Sequence, residues 1–104
     1  MNTLLKTLLL SVVIMTSANA KDYIVDQKNK TFIPHAITMS VGDTLVFKNS
    51  DPFAHNAYTD DEENEFDIGM QSTGTEKRVK IKARGKFDVE CAIHPNMLLE
   101  VTVK

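Results

Sequence analysis

The chain has 104 residues, 42% hydrophobic and 25% charged, with a formal net charge of -2 and a single cysteine. That length supports one small domain. The near-balanced charge gives no electrostatic footprint for nucleic acid or an anionic membrane, and a lone cysteine excludes an intramolecular disulfide.

Residues 1–20 read as a secretory signal peptide: Lys6 supplies the basic region, Thr7 to Thr16 the apolar run, and Ala18-Asn19-Ala20 a small-residue cleavage site. The apolar run is well short of the roughly 20 residues that a bilayer-spanning helix needs. Cleavage after Ala20 therefore predicts an exported, periplasmic protein of residues 21–104, with no membrane insertion after processing. Exported domains of this size usually need a staple, and without a disulfide the remaining common device is a metal.

From Lys21 onward the sequence predicts short strands at Tyr23–Val25, Ala36–Val41, Thr44–Phe47, Val79–Ala83, Phe87–Cys91 and Leu98–Val103, punctuated by Gly42-Asp43 and Gly85. No segment sustains a helical period. Between Arg78 and Cys91, Val79, Ile81 and Ala83 alternate with basic residues, and Phe87, Val89 and Cys91 alternate with Asp88 and Glu90. Period two puts Cys91 on the inward face with Phe87 and Val89. It also predicts a hairpin across Arg84-Gly85-Lys86 with outward charges paired across the strands. The pattern fits a small antiparallel β-sandwich with Greek-key connections.

Cys91, His94 and Met97 fall at three-residue intervals in Cys-Ala-Ile-His-Pro-Asn-Met, read as a single loop after a strand. A tight turn through Ala92 and Ile93 would gather them around one point, and Pro95 biases His94 away from helical geometry. Thiolate, imidazole and thioether form a soft set that selects copper, and a blue-copper site requires one more histidine. Two are available. His55 lies at the exit of a strand in a polar segment with Asn56, while His35 lies after Pro34 at the entry of an earlier strand. A buried, inert cysteine is the competing reading of Cys91.

With these residues in view, the chain resembles the cupredoxins of the plastocyanin and amicyanin type. The resemblance rests on Phe32-Ile33-Pro34, Val41-Gly42-Asp43-Thr44-Leu45-Val46-Phe47-Lys48-Asn49, His55-Asn56, Gly85 to Cys91, and Met97 to Val103; the short ligand loop is most similar to the amicyanin type. It implies an all-β, cupredoxin-like Greek-key β-sandwich of eight strands. It implies one copper ion, cycling between Cu+ and Cu2+, held by His55, Cys91 and His94 with Met97 axial, and leaves His35 as a solvated loop residue. Ala54, where the family often has proline, and Asn96, where it often has an aromatic residue, are departures that remove no ligand.

A weak axial Met97 leaves no open position for substrate, which argues against an enzyme and for outer-sphere electron transfer. Asn56 is placed to tie the two ligand segments together, and Pro95, lacking an N–H, cannot donate to the Cys91 sulfur. The resemblance makes His94 the exposed ligand, ringed by Phe53, Ile93 and Pro95 as a partner surface. Asp60, Asp61, Glu62 and Glu63 open an acidic run that is either a solvated loop or a steering patch for a basic partner. The functional reading is a monomeric carrier of single electrons between redox proteins, such as a c-type cytochrome or a periplasmic dehydrogenase. The alternative is a periplasmic copper carrier or storage protein using the same ligands.

Overall fold

The structure is a computed structural model that describes residues 19–104; the signal-peptide reading of residues 1–20 falls almost wholly outside them. Among the described residues there are nine strands, running in chain order β1 (Asp22–Lys28), β2 (Thr31–Ile33), β3 (Ala36–Met39), β4 (Thr44–Asn49), β5 (Tyr58–Thr59), β6 (Phe66–Asp67), β7 (Glu76–Lys80), β8 (Gly85–Cys91) and β9 (His94–Val103). They form an all-β sandwich of two sheets, ordered β2-β1-β4-β7 and β3-β9-β8-β5-β6.

Alternation accounts for most of the core. β8 buries Phe87, Val89 and Cys91, and β9 buries Met97, Leu99, Val101 and Val103, so these neighbours present one apolar face. β4 instead buries Leu45, Val46 and Phe47 in succession, as a strand with a partner on each edge tolerates. Phe47 anchors this layer, with its ring 6.3 Å from Phe32 and 5.9 Å from Phe66.

Three expectations need correction. First, the sheets are mixed: β1 and β4 are parallel, as are β3 and β9. Second, Arg78 to Cys91 is not a hairpin. β7 pairs with β4 in one sheet while β8 pairs with β9 in the other, so the chain crosses the sandwich between them. Val79, Ile81, Phe87 and Val89 still point inward, because alternation specifies a face and not a pairing partner. The basic side chains therefore pair elsewhere, as when Arg78 bonds Asp22 across the sheet at 2.6 Å. Third, the strand count exceeds eight through the two-residue β5 and β6, too short to give a periodic signal.

The crossing is fixed by buried polar groups. Ile81 N donates to Asp43 O at 2.8 Å, and Asn64 Oδ1 accepts from Lys82 N and Ala83 N at 2.9 and 3.0 Å. Gly85 then starts β8 with φ at 137°, a backbone state L side chains rarely adopt. At the same end Asp43 accepts from Lys21 N and Ser40 N, each at 2.9 Å, and is 5% exposed.

The Lys21 and Ser40 amides hold Asp43 below the usual carboxylate range, against an opposing push from burial. A lowered folded-state value contributes stability that is present above the unfolded value, near 3.9, and is lost as pH falls through the folded value. We expect the urea midpoint of the wild type to fall as pH drops below about 4 and the Asp43→Asn midpoint to fall less steeply. Parallel pH profiles from the two proteins would contradict this.

Candidate metal centre

Cys91 lies at the end of β8 and is 2% exposed, on the inward face that alternation assigns to it. The turn that follows consists of Ala92 and Ile93, and Cys91 pairs directly with His94 across it. Cys91, His94 and Met97 therefore do not share a loop: His94 and Met97 are residues of β9. Cross-strand opposition, not loop curvature, brings Cys91 and His94 together, aided by a register irregularity between Glu90 and Cys91. The sulfur lies 3.7 Å from His94 Nδ1.

His55 arrives from the other side, on the segment between β4 and β5, and is fully buried. Its backbone forms an isolated bridge with Gln71, donating at 3.1 Å and accepting at 2.7 Å. Its Nδ1 lies 3.0 Å from His94 Nδ1. His55, Cys91 and His94 thus offer ligand atoms within 4.8 Å of one another. The 3.0 and 3.7 Å separations are shorter than the sum of two metal–ligand bonds of about 2.0 Å to nitrogen and 2.3 Å to sulfur. The donor set fits one soft-to-intermediate ion.

Met97 is 1% exposed and packs in the same core cluster as Cys91. Pro95 and Asn96 are exposed beside His94, and His35 is exposed in the short connection before β3, apart from the cluster. Asn56 bridges the ligand segments: its Oδ1 accepts from Ala92 N at 3.2 Å, and its Nδ2 donates to Asp67 Oδ1 at 2.8 Å and Gly69 O at 3.0 Å.

Sequence reasoning missed the polar groups behind His55. Asp51, 3% exposed, accepts from His55 Nε2 at 2.6 Å. It also accepts from Asn29 N at 2.7 Å and Lys30 N at 3.0 Å. Those two residues form the β1–β2 turn with φ of 54° and 57°, the left-handed pair that a two-residue hairpin turn requires. Burial pushes the Asp51 carboxyl up, but the Lys30 amide, His55 and the Asn29 amide outweigh it and hold the group below its ordinary value. Behind this layer Asn49 Nδ2 donates to Phe53 O and Gln71 O, and Gln71 Oε1 accepts from Gln27 Nε2. The signal available in the sequence was only the spacing of four between Asp51 and His55.

At the outer edge, Phe53 is 38% exposed, with its ring centroid 5.3 Å from His55 and 5.6 Å from His94. Ile93 is 47% exposed, and Lys30 Nζ stands 5.7 Å from the Phe53 centroid. Burial, then the neighbouring His55 and Lys30, shift His94 below the ordinary histidine range, so it is neutral and able to ligate near neutral pH. In the acidic run the residues differ: Asp60, Glu62 and Glu63 are exposed, whereas Asp61 Oδ2 accepts from Asn64 N at 3.0 Å.

Comparison with known proteins agrees with this geometry. Residues 20–104 match the family of copper binding proteins, plastocyanin/azurin family. Plastocyanin of Vicia faba is 33% identical over 86 residues, covering 69% of this chain and 86% of that protein. Plastocyanin of Cucurbita pepo is 28% identical over 92 residues, covering 75% and 92%. Among solved structures, a reduced mutant of amicyanin superposes with a TM-score of 0.72 at 22% identity, over 86% of this chain and 87% of that one. A copper-containing nitrite reductase from Thermus scotoductus superposes with a TM-score of 0.72 at 25% identity; the match covers 78% of this chain and only 22% of that one. The chain belongs to the plastocyanin/azurin family of copper binding proteins, a cupredoxin whose cofactor is one copper ion.

Proposed function

We propose that the protein is an exported type 1 copper protein that carries single electrons between redox partners, and that His55, Cys91, His94 and Met97 would hold the copper. The convergence of His55 Nδ1, His94 Nδ1 and the Cys91 sulfur at one end of a sandwich carries this reading. Bound copper supplies a one-electron couple between Cu+ and Cu2+. The chain's task is to hold its donors in nearly one arrangement through both states, which the hairpin, the His55–Gln71 bridge and Asn56 are built to do. Amicyanins that share this fold have been solved both oxidised and as Cu(I) forms.

With Met97 as a fourth donor the ion would have no open position for substrate, which supports a carrier over an enzyme. An electron would leave through half-buried His94, whose exposed neighbours Phe53, Ile93 and Pro95 offer a small apolar face. A c-type cytochrome or a periplasmic dehydrogenase would dock there, with Asp60, Glu62 and Glu63 steering a basic partner. Export follows from the signal-peptide reading, and cleavage after Ala20 would convert the Lys21 amide that bonds Asp43 into an ammonium.

Adding Cu(II) to the purified protein should give an intense blue absorption and a narrow copper hyperfine splitting, and Cys91→Ser should lose both. A colourless complex, or colour that survives Cys91→Ser, refutes the assignment; rapid loss of copper to a chelator with a poorly reversible couple would move the reading to a copper carrier or store. Pro95→Ala introduces an N–H able to donate to the sulfur, and a hydrogen bond worth about 1 kcal/mol should raise the potential by about 40 mV for one electron, as voltammetry will read. Replacing Asp60, Glu62 and Glu63 with their amides should flatten the ionic-strength dependence of electron transfer to a basic cytochrome; an unchanged slope dismisses steering.

A further inference from the structure

We propose that Asp51 is a positioning residue of the copper site: its buried carboxylate fixes the ring of His55 and, through its charge, favours Cu(II) over Cu(I). The inference rests on the copper reading above. A carboxylate only accepts, so the 2.6 Å contact requires His55 Nε2 to carry the proton. That leaves the lone pair on Nδ1, the nitrogen that faces His94 Nδ1 at 3.0 Å. Without Asp51 the opposite tautomer becomes available, with a proton directed into the ligand cluster. An imidazole that donates to a carboxylate is also a more basic ligand than one that donates to a neutral group.

Asp51 is itself held. Oδ1 accepts from Asn29 N, Oδ2 accepts from Lys30 N as well as from His55, and its backbone carbonyl accepts from Thr73 Oγ1. Its N–H donates to Asn49 Oδ1 at 2.9 Å. The carboxylate therefore cannot rotate away from His55 without stranding the two amides of the β1–β2 turn. Its double engagement also separates two roles by experiment, since a residue that merely closed the turn would affect stability and leave the copper couple alone.

The test begins with apo protein. Nitrogen-15 NMR should show His55 protonated at Nε2, with a slowly exchanging downfield proton that is shifted or lost in Asp51→Asn. Asp51→Asn should weaken Cu(II) binding by about 10- to 100-fold relative to Cu(I), and a tenfold change raises the one-electron potential by about 59 mV. Asn29→Gly, which alters the turn but spares the carboxylate, should change stability and leave the potential in place. An apo His55 protonated at Nδ1 overturns the proposal whether or not Asp51→Asn folds. So does a folded Asp51→Asn with an unchanged potential. A wild type that shows the Nε2 proton yet no blue copper spectrum would defeat the copper reading while sustaining Asp51's hold on His55.

Discussion

A fully buried imidazole must have both ring nitrogens satisfied, and most of the architecture at this end of the sandwich answers that demand for His55. Nε2 meets Asp51 and Nδ1 meets His94 Nδ1. Satisfying Asp51 in turn requires the Asn29–Lys30 turn, where Lys30 adopts a left-handed conformation that a lysine does not favour unaided. Holding the loop against the core requires Asn49 and Gln71, whose side-chain amides bond backbone groups of Phe53, Phe47 and Thr75. The site is thus the outermost member of a polar network that runs inward to Gln27, whose Nε2 reaches Gln71 and Lys48 O while its Oε1 has no partner among the described residues.

This network joins layers that the apolar core alone would leave independent at that end. Cys91 and His94 belong to the β8–β9 hairpin of one sheet, whereas Asp51 leans on the β1–β2 turn of the other. His55 stands on the segment that passes from β4 to β5, between the two sheets. Asn56 spans the same gap toward the hairpin by accepting from Ala92 N. Cys91 and Met97 meanwhile sit in the hydrophobic cluster with Phe87, Val89 and Leu99, so the site and the core share a wall.

How much of this was legible in the sequence follows from the range of each signal. Alternation in Phe87, Val89 and Cys91 is local, and it put Cys91 on the correct face. The pairing of Val79's strand with β4 is a long-range fact, to which a local period is blind. The gathering of His55 with Cys91 and His94 was legible because few structural roles require those residue types together. Asp51, Asn49 and Gln71 were not, since polar residues in a loop look the same in sequence whether they face water or close a buried network. The Asn29-Lys30 turn was missed for a related reason: a lysine at positive φ makes sense only once the carboxylate that accepts its amide is known.

The same network explains why so small a domain tolerates a ligand cluster that does little for folding by itself. Two imidazole nitrogens at 3.0 Å and a sulfur at 3.7 Å are polar atoms held close together at the edge of the core. In the apo protein only one of the two Nδ1 atoms can donate to the other, so part of the cluster is held together by surrounding bonds instead of by its own. An ion that binds the folded cluster and not the unfolded chain returns its binding free energy as stability. In a chain that has one cysteine and no disulfide to draw on, a bound copper ion would tie the β8–β9 hairpin to the segment between β4 and β5, and on the proposed reading electron transfer and folding would depend on the same few atoms.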